Sequence, residues 1–165
     1  MVIGIVLFCF FVIILLIYFL IFKEYSTMLM SYEMLVKVLE TRNLILMRIL
    51  PEIKDKKAKK EITSYVEQMI NYKRTNNDKV LELDVSINKK LDKIYSELNK
   101  SKNPVVLEEL KRVINFEKKL KIIRREYNKA VDEYNSKLIK HPKLMAKYLK
   151  MRPYNTYDIK ENVQN

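Results

Sequence analysis

Residues 104–142 read PVVLEELKRVINFEKKLKIIRREYNKAVDEYNSKLIKHP, and this stretch decides the fold class. Pro104 suits the first turn of a helix, where its missing N–H costs nothing, and Pro142 ends or kinks the same helix. Between them one side chain recurs at steps of three and four: Val106, Leu110, Val113, Glu117, Leu120, Arg124, Tyr127, Val131, Tyr134 and Leu138. That spacing predicts a helix to about Ile139 with one face turned to other helices. Ser101-Lys102-Asn103 before it is a turn, with Asn103 or Ser101 able to cap.

Upstream, the same period continues. Glu61–Asn99 carries Ile62, Val66, Met69, Lys73, Asn76, Val80, Leu83, Ile87, Lys90 and Ile94 at heptad positions. The polar run Thr75–Asp78 lies mid-seam, with Asp78 a good N-cap, so one long helix and two shorter ones are both open. From Tyr25 to Leu50, Met28, Tyr32, Leu35, Leu39, Leu46 and Ile49 share a face with Arg42, and Pro51 disfavours further α-helix. The run Lys54–Lys60 is expected as a solvated connection at the far tip, about 45 Å of helix from residue 22. A short helix over about 144–150 and a loose polar tail over 151–165 complete the reading.

Residues 1–22, MVIGIVLFCFFVIILLIYFLIF, have a different character. They contain no charge and five of the six Phe, whereas all 32 Lys+Arg and 20 Asp+Glu fall after Phe22. Twenty-two helical residues cover roughly 33 Å, enough for a hydrocarbon core of about 30 Å. No basic n-region and no small-x-small site precede Lys23, so an uncleaved transmembrane anchor is expected rather than a signal peptide. No Gly or Pro follows before Pro51, so the anchor is expected to run into the body as one rod. Cations lie only on the C-terminal flank, which favours an outside N-terminus and a cytoplasmic body in the cell membrane. The expectation is an all-α chain: anchor 1–22, an antiparallel bundle of three to four long coiled-coil-like helices over 23–150, and the tail 151–165.

Composition excludes several chemistries. The single Gly rules out phosphate-cradling loops, the dinucleotide fingerprint and the nucleophile elbow. One Cys and one His rule out an intrachain disulfide, Cys-based zinc sites and multi-histidine metal centres. His141 has no visible nucleophile partner. No catalytic residue, metal or cofactor is expected. A net charge of +12 would support nonspecific phosphate contacts, but Lys is interleaved with Glu and Asp and no nucleic-acid motif is present.

The residues that break the apolar pattern are the candidate interaction or structural residues. Glu117 and Arg124 sit on the core stripe two turns apart, too far to touch directly on that reading, so each needs a partner from another helix. Arg42 is the candidate partner for Glu117. Tyr127-Asn128 and Tyr134-Asn135 repeat seven apart, placing two hydroxyls on the core stripe and two amides able to bond across helices.

In one register, Glu117, Leu120, Arg124, Tyr127-Asn128, Val131, Tyr134-Asn135 and Pro142 resemble the C-terminal signature of the LemA family. Arg42-Asn43-Leu44-Ile45 gives a looser N-terminal match, with Leu46 where the family has Pro. The resemblance implies a single membrane anchor and an antiparallel helical bundle at bacterial cell membranes, and it brings no catalytic residues. The function expected is a scaffold or adaptor that meets membrane lipid through its anchor and presents the bundle to a protein partner or to a second copy. The alternative is a basic domain that binds anionic lipid or, less well supported, nucleic acid.

Overall fold

The computed structural model describes residues 2–140 and 153–157. Among them are four α-helices: α1 Val2–Ile49, α2 Lys56–Tyr72, α3 Asn77–Leu98 and α4 Pro104–Lys140. The expected rod is one unbroken helix, and it ends where Pro51 enters a single 3-10 turn, Leu50–Glu52. His141, Pro142 and the helix expected over 144–150 lie outside the described residues.

The polar run after Tyr72 does break the chain into two helices. The cap is Asn76, not Asp78: its Oδ1 accepts from the Lys79 backbone N–H at 3.1 Å, and Asp78 falls in the first turn. An N-cap accepts from the residue two or three ahead, so the cap must stand one residue before α3 begins. The basic run is not a mere connection either. Lys56–Lys60 forms the opening of α2, with Ala58 buried against the bundle. Cations oppose the positive end of a helix dipole. Asp55 offsets them by accepting from the N–H groups of Lys57 and Ala58 and by pairing with Lys93 at 2.6 Å.

The chain forms two compact units. The first comprises residues 1–33 and 125–156. Here α1 and α4 run antiparallel, with Glu24 beside Lys137, Tyr25 beside Tyr134 and Tyr32 beside Tyr127. Met28, Val131 and Leu138 are buried along the same helices. Toward the N-terminus the apolar side chains turn outward: Ile3, Leu7, Phe8, Phe11 and Phe19 are all more than half exposed. By length and composition this segment could cross a membrane, and only 6 % of its most apolar window is buried.

The second unit comprises residues 34–124 and 157–165. Its helices alternate in direction. Glu40 and Asn43 of α1 meet Lys73 and Met69 of α2, and Asp55 and Glu61 at the start of α2 meet Lys93 and Lys90 of α3. Arg42 and Arg48 of α1 meet Glu117 and Glu109 of α4. Every apolar residue of the predicted seams in this unit is buried, among them Leu39, Leu46, Ile62, Val66, Ile87, Ile94, Val113 and Leu120. At about 25 cal/mol per Å² of apolar surface, this burial supplies the main drive for association of the helices.

Candidate functional site

The charged positions on the apolar faces converge in the second unit. Arg42 is fully buried, and each of its N–H groups has an acceptor. Nε donates to Asn43 Oδ1 at 3.0 Å; Nη2 donates to Asn43 Oδ1 and to Asp84 Oδ1, both at 2.6 Å. Nη1 donates to Asn88 Oδ1 at 3.0 Å and to Glu117 Oε1 at 2.7 Å. A guanidinium carries five donors in a rigid fork, and here all five are used.

Asp84, fully buried on α3, is the other centre. Its Oδ1 takes Arg42, while its Oδ2 takes Arg124 Nη2 at 2.9 Å, Asn88 Nδ2 at 3.3 Å and the Tyr157 hydroxyl. Arg124 Nη1 also reaches Glu117 Oε2 at 3.4 Å. Glu117 and Arg124 therefore do touch, contrary to the sequence expectation, because long side chains lean toward each other across two turns. Two cations and two anions close the cluster at zero net charge.

Burial on its own would push the Asp84 carboxyl up; the guanidiniums of Arg42 and Arg124, with the Tyr157 hydroxyl, outweigh it and hold it below the usual carboxylate range. Burial likewise works against the Arg42 charge, and Asp84 and Glu117 more than restore it. Burial and then the Asp84 charge push the Tyr157 phenol up, so it stays a neutral donor. Burial, then the Glu117 charge, also raises Tyr95. The Tyr95 hydroxyl and Arg124 Nε have no hydrogen-bond partner among the described residues.

In the first unit, Tyr134 and Tyr154 make an edge contact at 5.9 Å between centroids, with Tyr25 beside both. Burial and the neighbouring phenols push Tyr134 up to about 12. Asn135 bonds not to another helix but to the chain after α4: its Nδ2 donates to Tyr154 O at 2.8 Å, and its Oδ1 accepts from Tyr154 N at 3.1 Å. One amide side chain thus completes a main-chain residue much as a neighbouring strand would. Tyr127 donates to Asn155 O at 3.4 Å, and Asn128 is half-buried. The expected loose tail does not hold for residues 153–157, since Tyr154 is pinned here and Tyr157 is 3 % exposed in the second unit.

No family model, no curated protein and no solved structure matches this chain. The chain is a helical protein with an apolar N-terminal helix.

Sequence reasoning singled out Arg42, Glu117 and Arg124 and passed over Asp84, Asn88 and Tyr157. Asp84 carried a signal. Read as Val80, Asp84, Ile87, Leu91, Ile94 and Leu98, the α3 seam has steps of four and three with a single polar member, and all six are buried. A groove of about 290 Å³ also opens between α1 and α2, lined by Val36, Leu44, Val66 and Ile70, with the Glu40–Lys73 pair among its lining.

Proposed function

We propose that the chain is a single-pass membrane protein of LemA type, without enzymatic activity, that presents its helical bundle to a protein partner at the cytoplasmic face. The observation that carries this reading is the outward-facing apolar surface of α1 from Ile3 to Leu20, which the described residues leave largely uncovered. Such a surface is stable in hydrocarbon and costly in water. Two features support a binding rather than a chemical role. Arg42, Asp84, Arg124 and Tyr157 are engaged with one another and with Glu117 in the ion cluster, and the Leu44 and Ile70 side chains stand more than half exposed beside the α1–α2 groove. The LemA reading is supported by the fact that Arg42, Glu117 and Arg124 meet in one cluster while Tyr134 and Asn135 organise another.

Fractionation of cells expressing the full chain tests the anchor. Retention in membranes through carbonate washing, with an intact mass that includes residues 1–22, is the expected result. A soluble chain, or one cleaved near Phe22, refutes it. Ser96, exposed on α3, gives the orientation: with Cys9→Ser and Ser96→Cys, an impermeant maleimide applied to intact cells should leave residue 96 unlabelled.

A second reading, attraction to anionic lipid, draws on the outer face of α4, where Lys111, Lys118, Lys121 and Arg125 recur at helical spacing and are exposed. The full chain anchored in neutral vesicles should then tether anionic vesicles at low salt and release them at high salt. No tethering at low salt removes this reading.

A further inference from the structure

The place that Tyr157 occupies has the anatomy of a receptor. On one side is the Asp84 carboxylate, which takes the phenol proton. Beside it Asn88 Nδ2 donates to the phenol oxygen at 3.3 Å. The Arg124 guanidinium lies over the ring, 5.0 Å from its centroid. Donor, acceptor and ring face are each met by a different side chain, and each of the three also bonds within the ion cluster. Asp84 is held by Arg42 and Arg124, Asn88 by Arg42, and Arg124 by Glu117. Phenylalanine would match only the ring contact, and a carboxylate would face Asp84 with like charge. The chemistry selects tyrosine.

We propose that Asp84, Asn88 and Arg124 form a socket for a tyrosine-bearing segment, and that the segment it serves in solution includes the C-terminal residues of a second copy of this chain. The socket takes a side chain from outside the helices, so nothing in its geometry requires the same molecule to supply it. Sixteen residues separate Lys140 from Tyr157, and two of them, Tyr154 and Asn155, are bonded to Asn135 and Tyr127 of α4. With those bonds released and the segment fully extended, the sixteen reach at most about 60 Å. That exceeds the roughly 20 Å width of a bundle whose helices lie about 10 Å apart, so a neighbouring socket is within reach. A second copy brings the identical segment. Wherever copies are held close together, the trans segment competes at high effective concentration with the cis one. The inference does not depend on α1 crossing a membrane.

The test uses the full chain in detergent and a fluorescein-labelled peptide of residues 155–161, NTYDIKE. The Tyr157→Ala chain, its socket empty, should bind this peptide at least tenfold more tightly than the wild-type chain, whose own tyrosine competes. The peptide with Phe in place of Tyr should bind at least fivefold more weakly. Equal binding of the two peptides, or none to a folded Tyr157→Ala chain, overturns the socket. If circular dichroism shows that Tyr157→Ala does not fold, the peptide carrying 3-fluorotyrosine is added in large excess to the wild-type chain. A second, shifted fluorine resonance supports exchange, and its absence overturns it. For the second copy, a tagged Tyr157→Ala chain should retain an untagged Asn88→Leu chain, which keeps its tyrosine, more strongly than it retains untagged Tyr157→Ala. Equal retention refutes exchange between copies.

Discussion

Removing the Asp84 carboxylate is the sharpest probe of the cluster. Asp84 is fully buried and accepts from Arg42, Arg124, Asn88 and Tyr157, so Asp84→Asn leaves two guanidiniums with Glu117, itself 22 % exposed, as the one anion of the cluster. Breaking a buried ion pair by deleting one partner costs about 3–5 kcal/mol, because the remaining charge stays desolvated. Against a total stability of roughly 5–15 kcal/mol, that is about a fifth of the whole at the least. In a domain of this size the shift in melting temperature is about 10–20 °C. Glu117→Gln should cost distinctly less, since water already reaches its carboxylate and screens the pair. Acid gives an independent readout. The folded Asp84 carboxyl lies below its unfolded value. It therefore binds fewer protons folded than unfolded, and its contribution is complete above about pH 4 and lost as pH falls through the folded pKa. Thermal melts of the full chain in detergent, followed by circular dichroism between pH 7 and pH 2, measure both. If Asp84→Asn melts within about 2 °C of wild type and keeps its acid sensitivity, the cluster does not hold the helices together.

Asn135→Ala removes two hydrogen bonds to the Tyr154 main chain and should cost about 1–2 kcal/mol, with hydrogen exchange at the Tyr154 amide faster than in the wild type. Asn76→Ala, at the true N-cap of α3, should cost about 1 kcal/mol in a denaturant melt and more than Asp78→Ala. Asp55, bonded by Lys93 and by the Ala58 N–H, should titrate at about 2 by NMR, and Lys93→Met should return it toward the ordinary carboxylate value. Leu46→Ala, at a position with no exposure, should cost about 2–5 kcal/mol through the cavity it leaves.

The helices were legible because prolines and periodicity agree. Pro51 and Pro104 bound α1 and α4, and the steps of three and four mark the buried faces. The register of α3 was harder. A strict heptad counted from Ile62 runs across the break at Lys73–Asn76 and arrives at Lys90, whereas the buried neighbour is Leu91. Val80, Leu83, Ile87 and Ile94 of that heptad are buried, but between them the seam also takes the residue one further on, because a helix of 3.6 residues per turn drifts from a strict 3.5 repeat. Asp84, one residue beyond Leu83, was hidden in the same way. The partner of Asn135, and Tyr157 altogether, were illegible for another reason: the contacts span 19 and 73 residues, and a segment outside the helices has no helical period to betray its contacts. That Glu117 and Arg124 touch follows from side-chain length, which a count of turns leaves out.

The sequence distances inside the cluster also set an order in time. Glu117 is made 75 residues after Arg42. At a synthesis rate of about 5–20 residues per second, that is roughly 4–15 s. Asp84 comes 42 residues after Arg42, and Tyr157 comes last, 73 after Asp84. Throughout that interval the Arg42 guanidinium has no complete set of acceptors and must stay hydrated. The four-helix unit therefore closes over its central cation only after the final helix has been synthesised, and the N-terminal half of α1 has to find its own environment before the rest of the protein exists.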